Sequence, residues 1–296
     1  MKKQIFTGSG VALVTPFKGE ERAVNYDKLA ELLEFHIENG TDALIILGTT
    51  GECATMSMEE HRDVLEFCAN KAKDRITLIA GTGSNDTNSA IHLSQFAESV
   101  GYDGLLVVTP YYNKATQKGL REHFCAIAKS VKLPIILYHI PGRTGVTVSL
   151  ETFEYLDKNC ENIVAVKEAT GDLAVAAKIK AHTELGVYAG NDDIIVPIMS
   201  IGGLGVISVV ANILPKETHD ICADYMNGNI EKSRNDFLRM LDLMNALFIE
   251  VNPIPIKEAM NILGYNVGGM RLPLCGMEEK NLDKLKAAMK DYGLKF

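Results

Sequence analysis

A lysine ends one apolar segment of this sequence, in the stretch IVAVKEATGD at residues 163–172. The residues before Lys167 are rich in Val and Ile, which indicates a buried β-strand. Burial disfavours the ammonium form, lowers the pKa of a lysine and frees the neutral amine to attack a carbonyl carbon. Lys167 is therefore a candidate for Schiff-base formation with a keto acid or an aldehyde. The alternative is a structural lysine whose ammonium reaches solvent or pairs with Glu168, although strand alternation points Glu168 to the opposite face.

Imine chemistry also needs proton transfer and a group that binds a carboxylate. Tyr138 ends the preceding apolar segment and offers a hydroxyl for proton transfer, although a core tyrosine with a satisfied hydroxyl explains it equally well. Thr49 and Thr50, in the segment GTTGE, present hydroxyls and backbone N–H groups to an anion, with a plain glycine turn as the alternative. Arg143 is a permanently charged carboxylate binder, or else a partner in a surface ion pair.

Short apolar segments rich in β-forming residues recur along the first two-thirds of the chain and alternate with amphipathic stretches of helical length. Strands that alternate with helices pair in parallel, and near-continuous apolar strands are buried on both faces. The predicted strands are Val11–Thr15, Ala43–Leu47, Ile76–Ala80, Gly104–Val108, Pro134–Tyr138, Ile163–Lys167, Val187–Ala189 and Val206–Val210.

This pattern predicts an α/β fold of the (β/α)8 TIM-barrel class. The competitor, an open doubly wound sheet, lacks its glycine fingerprint, because the glycines at 8–10 precede the first predicted strand and are expected to form a loop. In a barrel the candidate residues lie at the C-terminal ends of the strands, which is the face that carries active sites. We therefore expect Lys167, Tyr138, Arg143 and the GTTGE segment to share one site.

Apolar periodicity and capping residues predict where helices lie, and they separate a barrel from a helical C-terminal part. Asn25–Glu38 has apolar residues at helical spacing, Ser57 and Glu60 form a capping box, and Asp172 is a predicted helix cap. Beyond Leu214 only helices are predicted: Lys216–Met226, Asn229–Ala246, Pro255–Leu263 and Leu282–Met289. We expect a catalytic barrel over residues 1–228 and a small C-terminal helical domain over residues 229–296.

Composition excludes several classes of function. The chain of 296 residues has a formal net charge of −8 and no run of basic residues with interleaved aromatics, which argues against nucleic acid and anionic membranes as partners. The 6 cysteines form no C-x-x-C pair and the 7 histidines form no ligand-spaced cluster, so we expect reduced thiols, no metal and no cofactor. Without a signal-peptide or membrane-spanning pattern, the expected location is the cytoplasm.

Several segments together resemble the dihydrodipicolinate synthase family, within the pyruvate-dependent class I aldolase superfamily that includes N-acetylneuraminate lyase. They are GTTGE (48–52), TPYYN (109–113), YHIPGRTG (138–145), VKEATGD (166–172) and GVISV (205–209), followed by NPIPIKEAM (252–260) and RLPL (271–274). The resemblance implies condensation of pyruvate with L-aspartate 4-semialdehyde to 4-hydroxy-tetrahydrodipicolinate, the first committed step toward diaminopimelate and lysine.

The same resemblance implies roles for individual residues. Lys167 would form the Schiff base with pyruvate, and Arg143 would hold the semialdehyde carboxylate. Thr50, Tyr138 and Tyr112 would form a proton relay, with Tyr112 reaching across a tight dimer interface. The pyruvate end would be lined by Thr49, Thr50, Gly190 and Ile207. The family is usually a homotetramer built from tight dimers. The residues alone leave loop packing and an interface open for Tyr111 and Tyr112; the resemblance puts Tyr111 at the interface.

Lysine-inhibited members of the family bind lysine at the dimer interface. The matching positions here are Cys53, Ala54, Met58, His61, Asn85, Ser89 and Tyr111. Strongly inhibited members have histidine at the position of Met58 and glutamate at that of Ser89. A ligand ammonium loses much of its binding without a carboxylate partner. We therefore expect weak or absent feedback inhibition by lysine.

Other functions fit parts of the pattern. The nearest is a sister aldolase acting on a 2-keto-3-deoxy-sugar acid or on sialic acid, against which Arg143 argues. A phosphate-binding barrel isomerase without covalent catalysis has support only from Gly202, Gly203 and Gly205 near the eighth strand. The last is a catalytically silent barrel retained as an oligomeric binding protein, which the intact set of reactive residues disfavours.

Overall fold

A closed barrel of parallel strands forms the centre of the protein in the computed structural model, which describes residues 2–296. Its strands are β1 Gly8–Ala12, β4 Ala43–Ile46, β5 Thr77–Gly81, β6 Gly104–Val108, β7 Ile135–His139, β8 Ile163–Glu168, β9 Gly186–Ala189 and β10 Gly205–Ser208. β1 pairs with both β10 and β4, which closes the barrel. A small antiparallel hairpin, β2 Phe17–Lys18 and β3 Ala23–Val24, follows β1. The predicted (β/α)8 fold is confirmed.

Helices surround the barrel and follow its strands. They are α1 Tyr26–Glu38, α2 Met58–Ala72, α3 Thr87–Val100, α4 Gln117–Ser130, α5 Pro141–Thr144, α6 Leu150–Asn159, α7 Leu173–His182, α8 Ile195–Ser200, α9 Pro215–Met226, α10 Ile230–Ala246, α11 Ile254–Ile262 and α12 Glu279–Tyr292. The side chains of Asn25, Ser57 and Asp172 each accept a hydrogen bond from a first-turn N–H group. Ser57 and Asp172 are the helix caps that the sequence predicted, and Asn25 is a further cap at the start of α1.

The first strand corrects one expectation. The glycine segment at 8–10 lies inside β1 and is not a loop, and β1 begins at Gly8 instead of Val11. Glycine is needed there because a Cβ at Gly10 would lie 2.7 Å from Ile45 and 2.8 Å from Phe6. Gly8, two residues earlier, has a φ of +103°, a backbone region that favours glycine. Strand propensity missed the segment because close packing inside the barrel, and not a β-forming side chain, selects these residues.

Apolar side chains form two layers, one inside the barrel and one between the barrel and its helices. Because side chains alternate along a strand, neighbouring residues enter different layers. Tyr138 belongs to the inner layer. His139 and Glu168 contact each other, and the His139 ring lies edge-on to Phe153 of the surrounding helix α6. Glu168 thus points away from the barrel interior, as alternation predicted.

The C-terminal helices contact the barrel through polar as well as apolar groups. Lys257 of α11 reaches back to Glu52 in the GTTGE turn, with Nζ 2.7 Å from Oε1. Arg271 forms a bidentate pair with Glu60 of α2. No helix in residues 2–296 combines the length and the apolar character that a membrane span requires.

Candidate active site

Lys167 and Tyr138 lie side by side at the C-terminal end of the barrel. They are register partners of β8 and β7. The Nζ atom of Lys167 lies 4.5 Å from the centroid of the Tyr138 ring, an arrangement in which the ring face attracts a cation. Both side chains are buried, with Lys167 5% exposed. Within residues 2–296, Lys167 Nζ makes no hydrogen bond and no ion pair, so the amine is free to react.

Burial changes the protonation of Lys167. Desolvation lowers its pKa from 10.5 to about 8; Asp192 opposes the shift and Arg143 adds to it. A pKa near 8 gives a substantial neutral fraction at neutral pH, which an exposed lysine lacks. The site therefore supplies the nucleophilic amine that imine formation needs.

Asp192 is a site residue that the sequence analysis missed. It opens the turn after β9 and is buried. Its Oδ2 atom accepts hydrogen bonds from the backbone N–H groups of Val209 and Val210, both at 3.0 Å. Desolvation raises the pKa of Asp192, while the nearby Ser208 side chain and the two backbone N–H groups oppose that shift. The available signal was its position, a carboxylate directly after a barrel strand on the active face.

The two threonines of the GTTGE turn have different partners. Burial raises the pKa of Tyr138, and a side-chain hydrogen bond with Thr49 opposes that shift. The Oγ1 atom of Thr50 accepts a hydrogen bond from Asn252 Nδ2 at 3.0 Å. Thr49 is therefore close enough to act on Tyr138, and the relay role expected for Thr50 stays a prediction.

Asn252 is a second residue that the sequence analysis left without a role. Its side chain donates to Thr50, and its backbone carbonyl accepts a hydrogen bond from Arg143 Nη2 at 2.9 Å. Arg143 lies on the short helix α5 and is otherwise exposed. Its charge lowers the pKa of both Lys167 and Tyr138, so the guanidinium is close enough to act on the same site. Nothing in the sequence links residue 252 to residues 50 and 143.

The expected pyruvate-binding residues Gly190 and Ile207 lie at neighbouring strand ends. Gly190 follows β9, and its N–H group donates to the carbonyl of Glu168 at 2.7 Å. A Cβ at Gly190 would lie 2.5 Å from Ala169, so only glycine fits there. Ile207 of β10 is fully buried in the inner apolar layer. Gly190 and Ile207 line the end of the barrel at which Lys167 lies.

Tyr111 and Tyr112 lie outside this cluster. Tyr112 is 90% exposed and has a φ of 71°, a left-handed conformation that strains a residue with a bulky side chain. Within residues 2–296 no hydrogen bond joins Tyr112 to Tyr138 or Thr50. Tyr111 is 37% exposed. A single chain therefore does not bring the expected third member of the relay to Lys167.

The expected regulatory positions surround the turn after β4 and the start of α3. His61 is buried, and its Nε2 atom lies 2.9 Å from the carbonyl oxygen of Gly81. Burial lowers the pKa of His61, which favours the neutral ring. The Ser89 hydroxyl donates to Asp86 at 2.6 Å. The remaining positions, Cys53, Ala54, Met58, Asn85 and Tyr111, are partly or largely exposed.

Residues 2–296 contain no group of three or more His, Cys, Asp or Glu side chains suited to a metal ion. The arrangement consists of a buried amine, an adjacent phenol near a threonine hydroxyl, and an exposed guanidinium. Such a set supports covalent imine catalysis on an anionic carbonyl substrate.

Comparisons with known proteins agree with this arrangement. The Dihydrodipicolinate synthetase family matches residues 5–292. A Clostridium tetani relative named 4-hydroxy-tetrahydrodipicolinate synthase is 54% identical over 98% of this chain and 99% of its own. A crystal structure of dihydrodipicolinate synthase from Aquifex aeolicus has a TM-score of 0.95 and 46% identity, covering 98% of this chain and 99% of its own. A Cyanidioschyzon merolae structure with lysine bound has a TM-score of 0.95 and 40% identity, covering 99% and 100% of the two chains. The chain belongs to the dihydrodipicolinate synthetase family.

Proposed function

We propose that this enzyme is a lyase of the class I aldolase type that condenses pyruvate with L-aspartate 4-semialdehyde to 4-hydroxy-tetrahydrodipicolinate. The observation that carries the proposal is Lys167, a buried lysine with a pKa lowered to about 8 over the ring of Tyr138. The relatives that share about half of its residues carry the name of this activity.

Lys167 acts as the nucleophile. Its neutral amine attacks the keto carbon of pyruvate, and the resulting carbinolamine loses water to give an iminium ion. The iminium withdraws electrons from the methyl carbon, which releases a proton and becomes an enamine. The enamine carbon then attacks the aldehyde carbon of the second substrate. The amino group of that substrate finally attacks the imine carbon and displaces Lys167, which closes the ring.

Tyr138 moves the protons of these steps. Its ring lies beside the Lys167 amine and Thr49 acts on the pKa of its hydroxyl, so we assign the relay hydroxyl to Thr49 first. Thr50 was the expected relay residue, and its hydroxyl oxygen already accepts from Asn252. Because the Thr50 oxygen accepts this hydrogen bond, the Thr50 hydroxyl can still donate its proton in a hydrogen bond to the substrate. Tyr112 from a second copy of the chain would complete the relay.

Binding of the two substrates uses different parts of the site. Thr49, Thr50, Gly190 and Ile207 form the pyruvate end. Arg143, fixed to the carbonyl of Asn252, binds the carboxylate of the semialdehyde. A guanidinium matches a carboxylate in charge and planar geometry. The alternative, a sister aldolase acting on a sugar acid or sialic acid, is not favoured because the curated relatives carry the synthase name.

We also propose an assembly of tight dimers, most simply a homotetramer, of cytoplasmic chains. The support is the exposure of three large side chains, Met58, Tyr111 and Tyr112, which a neighbouring copy would cover. Residues 1–228 would form the catalytic barrel and residues 229–296 a helical domain that braces it. Sedimentation of the wild type against Tyr112→Arg tests the assembly.

Feedback inhibition by lysine is proposed to be weak. Met58 offers no charge to the ligand, and the Ser89 hydroxyl is engaged by Asp86. Titration of activity with lysine should show no inhibition at low concentration. Introduction of Met58→His with Ser89→Glu should strengthen inhibition, because the glutamate supplies a carboxylate for the ligand ammonium. Strong inhibition of the unchanged protein would contradict the proposal.

The decisive experiment traps the imine. The protein is incubated with pyruvate and borohydride, digested and mapped by mass spectrometry. A pyruvate-dependent adduct on Lys167 is expected. Lys257, which is also buried, serves as an internal control and should remain unmodified because Glu52 pairs with it. Activity without any adduct would exclude the mechanism, and activity on sugar acids in place of the semialdehyde would exclude the substrate.

A further inference from the structure

His139 and Glu168 form a buried pair on the outer side of the barrel, directly beside the reactive residues. They are register partners at the ends of β7 and β8, one residue beyond Tyr138 and Lys167. Both are 0% exposed, and His139 Nδ1 lies 2.7 Å from Glu168 Oε2. The other oxygen of Glu168 accepts from the Thr170 N–H at 2.6 Å. Neither side chain faces the substrate, and the imine mechanism uses neither.

The second ring nitrogen of His139 has a different partner. The backbone N–H of Val148 donates to Nε2 at 3.2 Å. Since Nε2 accepts, the ring proton lies on Nδ1 and is donated to the Glu168 carboxylate. One side chain thus connects the strand end that carries Lys167 to residue 148.

Residue 148 lies near the end of the segment 140–149, which carries Arg143. The segment leaves β7 at Ile140, turns through α5 and returns to the barrel at Val146 and Val148, both buried. Gln117 of α4 holds the same end from the other side, since its Oε1 atom accepts from Ser149 N and its Nε2 atom donates to the carbonyl of Thr147. The position of Arg143 relative to Lys167 therefore depends on how residues 147–149 are anchored.

We propose that His139 is a positioning residue for the second substrate, in that its Nε2–Val148 contact sets the Arg143 segment against the strand of Lys167. The inference rests on the proposed function, because it assumes that Arg143 binds the carboxylate of the aldehyde substrate. A displaced guanidinium binds that carboxylate less well, whereas pyruvate and Lys167 are unaffected. The two nitrogens have separable tasks: Nε2 anchors the Arg143 segment, and Nδ1 stabilises Glu168.

Two substitutions separate these tasks. His139→Asn retains an N–H donor at the place of Nδ1 and leaves Val148 N–H without an acceptor. We expect KM for the semialdehyde to rise about tenfold, with KM for pyruvate and the yield of the Lys167 adduct changed by less than about twofold. His139→Gln places its carbonyl oxygen near the Nε2 position and leaves Glu168 Oε2 without the donor that His139 provides. Its KM for the semialdehyde should stay near the wild-type value, in contrast to His139→Asn, and its Tm should fall below that of the wild type.

Two further variants complete the test. Gln117→Ala loosens the same segment without changing the buried pair, and should raise KM for the semialdehyde by about threefold. His219→Asn is the matched control, because His219 pairs with Asp42 at the opposite end of the barrel, with Nδ1 2.8 Å from Oδ2. It should leave both KM values unchanged.

Equal changes in both KM values for His139→Asn, or an unchanged KM for the semialdehyde, would overturn the inference. If the His139 variants do not fold, the Gln117→Ala measurement decides, and an unchanged KM for the semialdehyde there would also overturn it. Loss of the wild-type pyruvate adduct on Lys167 would instead refute the proposed function, so the two failures are distinguishable.

Discussion

Two lysines are buried within residues 2–296, and their surroundings differ. Lys257 of α11 lies 2.7 Å from Glu52 Oε1, donates to the carbonyl of Gly269 at 2.9 Å and lies over the ring of Phe17. Lys167 lies over the ring of Tyr138 and, within residues 2–296, pairs with no carboxylate and donates to no acceptor. Desolvation lowers the pKa of both lysines, but in Lys257 the pairing with Glu52 opposes it.

Burial alone therefore does not make a lysine a nucleophile. A directly paired ammonium is held in its charged form and fixes structure, in this case the attachment of α11 to the GTTGE turn. An ammonium without such a partner releases its proton near neutral pH. Asp192 raises the pKa of Lys167 without a direct ion pair, so it moderates the shift instead of cancelling it.

The largest expected effect separates the two lysines by activity. Lys167→Arg should lower kcat/KM by at least about 10³-fold, because the guanidinium is always protonated and does not form the imine. Tm should change little. Lys257→Met should still form the pyruvate adduct on Lys167 after borohydride reduction. An adduct on Lys257 in the Lys167→Arg variant would contradict the distinction.

Substitution of Lys257 should lower the free energy of unfolding more than substitution of Lys167. Lys257→Met leaves the Glu52 carboxylate buried without its cation and should lower the free energy of unfolding by about 3 kcal/mol. Denaturant titration measures this change. The double variant Lys257→Met with Glu52→Gln should recover part of the loss, since it removes the uncompensated charge. A loss below about 0.5 kcal/mol in the single variant would mean that the pair contributes little.

The pH dependence of the rate tests whether burial lowers the pKa of Lys167. Since imine formation needs the neutral amine and the pKa of Lys167 is about 8, the rate at subsaturating pyruvate should rise with pH and level off above about 8. Below that value each unit of pH should reduce it about tenfold. Asp192→Asn removes a charge that favours the ammonium and should shift the midpoint to lower pH. A midpoint near that of an exposed lysine would contradict the burial argument.

The smallest expected effect separates the two threonines. Thr49→Val removes the hydroxyl that acts on the pKa of Tyr138 and should lower kcat about tenfold. Thr50→Val removes the hydroxyl bonded to Asn252 and should raise KM for pyruvate about threefold, with a smaller effect on kcat. Steady-state kinetics with both substrates distinguish these outcomes. The reverse pattern would return the relay role to Thr50.

Much of the architecture could be predicted because it depends on local signals. Apolar segments such as Gly104–Val108 matched their strand bounds, and Ser57 capped α2 as its spacing predicted. The start of β1 was missed because glycines at the tightest part of the barrel carry no strand signal of their own. The C-terminal helix α12 extends over Glu279–Tyr292, beyond the predicted Leu282–Met289, since its polar ends lack apolar periodicity.

The amino-acid sequence was enough to predict the fold class, the family and the strand ends after which the reactive residues occur, because alternation and motif spacing are short-range properties. The partners of those residues depend on the folded chain. Asp192 near Lys167, Asn252 against Thr50 and Thr49 beside Tyr138 are contacts between segments distant in the chain. Such contacts depend on how closed strands and C-terminal helices converge in space, and no local pattern of residues encodes that convergence.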